Sequence, residues 1–138
     1  MTHELSLHGS PMGRILVVDD DQSVVFMLAE VLRDAGHEVL TSLSAEGTLA
    51  LVADVDAALV DLCMPGVGGV TLTRRIRELK ASLPVILLTA DASAKVSDDA
   101  TAAGAFGVMT KPVDIDDLSA AIERALLSAR PAEDAGRA

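Results

Sequence analysis

The stretch Ile15-Leu16-Val17-Val18-Asp19-Asp20-Asp21 is four aliphatic residues stopped abruptly by three acids. An apolar run without alternation is how a β-strand covered on both faces reads, so the acids fall just past the strand's carboxyl end. The pattern recurs along the chain. Ala57 to Val60 and Val85 to Leu88 are equally apolar, and Glu38 to Thr41 and Phe106 to Met109 complete a set of five short runs. Helical patterns fill the gaps. Ser23 to Ala35 carries Val24, Phe26, Met27, Leu28, Val31 and Leu32 and ends at Gly36, a left-handed C-cap. Ser44 caps Ala45 to Ala53. Val70 to Leu79 turns Leu72, Ile76 and Leu79 to one side and leaves Arg74, Arg75, Arg77 and Lys80 to water. A fourth helix, Asp91 to Ala103, has only Val96 as a large apolar residue and is expected to be held loosely. Asp114 caps the fifth, in which Ile115, Leu118, Ile122, Ala125, Leu126 and Ala129 follow a 3.6-residue period. Strands alternating with helices through short connections predict a doubly wound parallel α/β sheet with right-handed crossovers.

Composition narrows the function classes. A chain of 138 residues is expected to hold one folded domain, residues 14–129, between tails at 1–13 and 130–138. Half of it is hydrophobic and its mean hydropathy is +0.40, which excludes low-hydrophobicity disorder. The net charge of −10 repels phosphate backbones and anionic lipid, and with two Phe and no Trp or Tyr there is no stacking platform for single strands. We therefore expect neither nucleic-acid nor membrane binding. No apolar run approaches the ~20 residues of a membrane span and the N-terminus lacks a signal-peptide pattern, so a cytoplasmic location is expected. Cys63 alone excludes an internal disulfide and a thiolate zinc site, and His3, His8 and His37 lack metal-binding spacing. Gly68-Gly69 reads as a flexible turn.

In doubly wound sheets ligands bind beyond the carboxyl ends of the strands. There stand Asp19, Asp20 and Asp21 after the first strand, Asp61 after the third, Thr89 after the fourth and Lys111 after the fifth. Singly, these read as helix-capping acids, a turn residue and a solvated lysine. Jointly they form an acidic rim that a cation would neutralise. Hard oxygen ligands with open positions suit Mg²⁺, and a carboxylate beside Mg²⁺, Lys and a hydroxyl suits phosphoryl transfer.

In these residues the chain resembles the receiver domains of two-component response regulators, the CheY-like superfamily. The likeness rests on Val17-Val18-Asp19-Asp20-Asp21, Asp61-Leu62-Cys63-Met64-Pro65-Gly66 with Gly69, Leu88-Thr89-Ala90 and Lys111-Pro112, in order across residues 14–129. It implies a single-domain (βα)5 flavodoxin-like fold with a five-stranded parallel sheet. Asp61 is then the phosphoacceptor, charged by a histidine kinase or phosphotransfer protein. Asp20, Asp61 and the Cys63 carbonyl would bind Mg²⁺ directly, with Asp19 acting through a metal-bound water. Thr89 would hydrogen-bond one phosphoryl oxygen and Lys111 pair with another, and the bond before Pro112 would be cis. The chain would signal to a downstream protein through its fourth helix, fifth strand and fifth helix, or relay the phosphoryl group onward, as a monomer or weak dimer. Its only chemistry would be self-catalysed phosphotransfer and slow autodephosphorylation. The alternative is a docking module of the same fold that works without phosphorylation. An aspartate-nucleophile phosphatase is disfavoured, because no second acid stands two positions after Asp61.

One departure stands out. Many receivers place Tyr or Phe three residues before the lysine, and here that position is Val108. Valine cannot make the inward ring rotation, and Phe106, on the same strand face by parity, reads as a core filler. Switching is therefore expected to shift or order residues 90–104 rather than to rotate a ring.

Overall fold

The computed structural model describes residues 12–64, 66–91 and 93–129; residues 1–11 of the expected N-terminal tail, with His3 and His8, the expected tail at 130–138 and the motif residue Pro65 lie outside the described residues. The strands are β1 (Arg14–Val18), β2 (Glu38–Ser42), β3 (Ala57–Asp61), β4 (Val85–Thr89) and β5 (Gly107–Thr110). The helices are α1 (Gln22–Asp34), α2 (Ala45–Leu51, continued by a 3₁₀ turn at Val52–Asp54), α3 (Gly69–Leu79), α4 (Ala94–Ala102) and α5 (Ile115–Ser128). All pairings are parallel, in the order β2-β1-β3-β4-β5. The chain reverses direction across the sheet between β1 and β3, so Asp19, Asp20 and Asp61 emerge side by side at the switch point.

Alternate strand residues build two cores. Ile15, Val17, Leu59, Ile86 and Leu88 pack under α1 and α5, while Leu16, Val18, Val60, Val85 and Leu87 pack under α2, α3 and α4. Continuous apolarity in β1, β3 and β4 is the direct result, since both of their faces are covered.

Several expectations need correction. On α1 the buried stripe is Val25, Leu28, Ala29 and Leu32, leaving Phe26 64% and Met27 49% exposed. A helix presents about 100° of arc to its core, and α1 has more apolar residues than that arc accepts. Leu79 and Ile115, at helix ends beyond the sheet's cover, are exposed as well. Phe106 is no core filler: β5 starts one residue later, at Gly107, and Phe106 is exposed at the end of the sheet opposite the acids. Lys80 and Arg77 are not merely solvated. Lys80 Nζ donates to the Val55 carbonyl at 2.7 Å and Arg77 to that of Leu83 at 2.8 Å, closing carbonyls in the loops that lead into β3 and β4. Gly13 is tied to the fold, accepting from the Glu38 N–H at 3.1 Å and donating to His37 Nδ1 at 3.2 Å. α2 ends at Leu51 and α4 begins only at Ala94, after a Ser93 cap.

Candidate functional site

Of the three acids after β1, only Asp21 acts as a helix cap: its side chain accepts from the N–H groups of Ser23 and Val24 at the start of α1. Asp19 is turned the other way and is buried, with Oδ1 accepting from the Asp21 N–H at 2.9 Å. Its remaining oxygen, Oδ2, meets Lys111 Nζ at 3.1 Å. The same ammonium lies 2.8 Å from Asp61 Oδ1, so one lysine bridges the ends of β1 and β3 from a loop 50 residues beyond Asp61. Asp20 stands exposed beside them. Ligand oxygens of Asp19, Asp20 and Asp61 all lie within 4.8 Å of one another, a hard-oxygen set with a solvent-facing side that fits a small divalent cation.

Electrostatics follow from this packing. Burial raises the pKa of Asp61, the hydrogen bond from Lys111 works against that shift, and the nearby charges of Asp19 and Asp20 add to it. For Lys111 burial acts downward, but hydrogen bonds to Asp61 and Asp19 outweigh it and the net shift is upward. The lysine therefore stays charged, the cationic partner of an otherwise self-repelling acid cluster.

Close backbone packing sets the position of Asp61. Gly69, the first residue of α3, lies so near that an added Cβ would stand 2.6 Å from the Asp61 carbonyl oxygen and 2.7 Å from Leu62 Cα. Gly69 is thus a packing glycine, not a flexible turn, and its N–H donates to the Leu62 carbonyl at 2.8 Å. No local signal separates the two kinds of glycine, because the neighbour that forbids a side chain belongs to another element.

Thr89 ends β4, buried, with its hydroxyl engaged on the backbone of Asp91. The Lys111–Pro112 peptide bond is cis. The Cys63 thiol is free and exposed. Val108 is half-buried on β5, opposite Leu87 and packed on the α3 and α4 core. Beside the lysine a largely apolar groove of about 410 Å³ runs between α1 and the loop after β5, lined by Val24, Met27, Leu88, Pro112 and Val113.

Comparison with known proteins agrees with this geometry. A family model described as the response regulator receiver domain matches residues 15–123. The DNA-binding transcriptional regulator NtrC of Salmonella typhimurium is 37% identical over 116 residues, covering 83% of this chain and 25% of that protein. The chemotaxis protein CheY4 of Vibrio cholerae superposes with a TM-score of 0.80 at 29% identity, covering 84% of this chain and all of that one. NtrX of Brucella abortus gives a TM-score of 0.84 at 28% identity, over 91% of this chain and 30% of that one. The chain spans about a quarter of the length of NtrC and of the similar curated regulators AtoC and GlrR.

Proposed function

Since the chain belongs to the response regulator receiver family, we propose that it is a Mg²⁺-dependent phosphoacceptor switch in which Asp61 takes a phosphoryl group from a histidine kinase or phosphotransfer protein. The observation that carries this reading is the bridge from Lys111 to both Asp61 and Asp19, with Asp20 alongside: nucleophile, fixed cation and metal ligands in one cluster.

The step balances simply. A carboxylate oxygen of Asp61 attacks the phosphorus of a phosphohistidine, the new O–P bond forms as the P–N bond breaks, and the electron pair returns to the imidazole, which takes up a proton. Lys111, at 2.8 Å from the attacking group, exchanges the Asp61 oxygen for a phosphoryl oxygen, and the Thr89 hydroxyl bonds a second. Mg²⁺ held by Asp20, Asp61 and the Cys63 carbonyl, with Asp19 through water, would add positive charge against the remaining phosphoryl oxygens. The apolar groove flanking Lys111 supports a protein donor, because a small acyl phosphate needs no such surface. The chain turns over no other substrate and loses its phosphoryl group slowly to water. In the cytoplasm it signals through the surface of α4, β5 and α5, or passes the phosphoryl group onward.

Intact mass after incubation with acetyl phosphate tests this. A gain of one phosphoryl group is expected with Mg²⁺ and none with EDTA or in Asp61→Asn. No gain in any condition would return the chain to a docking module that works without phosphorylation.

A further inference from the structure

A threonine hydroxyl has one hydrogen to give. That of Thr89 is spent on the Asp91 carbonyl, at 3.2 Å, while its oxygen accepts the Asp91 N–H at 2.9 Å. To donate to a phosphoryl oxygen, Thr89 must let the Asp91 carbonyl go. Asp91 is in turn the first member of a chain of hydrogen bonds leading into α4. Its Oδ1 accepts the Ser93 N–H at 2.9 Å, and Ser93 Oγ, the N-cap of α4, accepts the Val96 N–H at 3.3 Å.

Little else restrains that helix. Ala100 is its only buried residue, and its ion pair, Lys95 with Asp99, is internal and solvent-exposed. On the neighbouring strand Val108 offers no ring to turn. We propose that Asp91 is a positioning residue that couples the acceptor choice of the Thr89 hydroxyl to the capping of α4, so that phosphorylation loosens α4 by breaking a hydrogen-bond relay instead of by rotating an aromatic side chain. This rests on the reading that Thr89 takes a phosphoryl oxygen.

The relay makes each part separately removable. Asp91→Ala deletes the bond to Ser93 and keeps the backbone bonds to Thr89; Asp91→Asn keeps an acceptor at the same place without the charge. The experiment is amide hydrogen exchange across residues 91–104 of the full chain, with and without Mg²⁺ and beryllofluoride as phosphoryl mimic, with occupancy read by fluorine NMR. In the wild type, bound beryllofluoride is expected to speed exchange at Val96 to Ala103 about five- to tenfold, the scale of one lost hydrogen bond. Asp91→Asn should keep that ligand-dependent change, and Asp91→Ala should lose it while still binding the mimic. Beryllofluoride bound with no change in α4 exchange, or a full response in Asp91→Ala, overturns the relay and leaves the phosphoacceptor reading standing. No binding of the mimic by the wild type brings down that reading and the relay with it.

Discussion

Helices α4 and α5 flank the same edge strand, β5, yet are held to the molecule very differently. α5 presses Leu118, Ala121, Ile122, Ala125 and Leu126 into the core it shares with α1, whereas α4 buries only Ala100. At roughly 1.5 to 3 kcal/mol for each fully buried large aliphatic side chain, the first helix is anchored by several kcal/mol and the second by hardly any. On the proposed reading, a switch that reshapes this surface is built from one fixed wall and one movable wall. The movable wall is the one wired to Thr89.

The difference should be plainest in truncations. Ile122→Ala removes a fully buried side chain from the α5 side and is expected to cost about 2 to 5 kcal/mol of global stability, read as a lower urea midpoint. Ala100→Gly, at the one buried position of α4, should cost about 1 kcal/mol through helix propensity. Its effect should be concentrated in α4 exchange. Equal losses in the urea midpoint would abolish the distinction between the two walls.

A third variant asks whether looseness belongs to the whole face under α2, α3 and α4 or to α4 alone. Helix α3 packs on that face through Leu72 and Ile76, and Gly69 brings its first turn against the Asp61 backbone. Gly69→Ala forces a Cβ into a 2.6 Å contact with a carbonyl oxygen, so α3 or the end of β3 must shift, at about 1 to 3 kcal/mol. Phosphoryl uptake from acetyl phosphate should slow as well, because the Asp61 carboxylate moves with its backbone. Unchanged stability and uptake would mean that α3 yields as easily as α4.

The sequence revealed the parts of this contrast unevenly. β1, β3 and β4 are legible because burial on both faces leaves no polar position, and the sparse apolar content of α4 foretells its weak attachment. The rim residues Asp19, Asp20, Asp61, Thr89 and Lys111 can be listed from strand ends, but the pairing of Lys111 with Asp19 spans 92 residues and needs the strand order. What misled was surplus apolarity. Phe26, Met27, Leu79 and Ile115 fit helical periods without reaching a core, and Phe106 fits strand parity one residue before the strand begins. Periodicity reports which residues share a side, not where the covering element stops. The roles of Gly69 and of the Thr89 hydroxyl depend on backbone atoms of Asp61 and Asp91, which any side chain there would supply.

Acid gives the smallest effect and the finest test. His37 lies before β2, at the opposite edge of the sheet from α4, and burial lowers its pKa below the usual 6.5. Its Nδ1 accepts the Gly13 N–H, a bond only the unprotonated ring nitrogen can make. The folded state therefore favours neutral imidazole, and as pH falls below about 6.5 the unfolded chain takes up the proton first. Stability is full above that value and declines as pH drops toward the folded pKa. Between pH 7.5 and 5.5 the urea midpoint should fall by more in the wild type than in His37→Asn. Residues of α5 that exchange only by global unfolding should lose protection in step, after correction for intrinsic rates. Amides of α4 open locally without exposing His37, so their protection should stay level. If α4 loses protection in parallel with α5, the helix opens with the whole molecule, and the independent wall on which the relay depends does not exist.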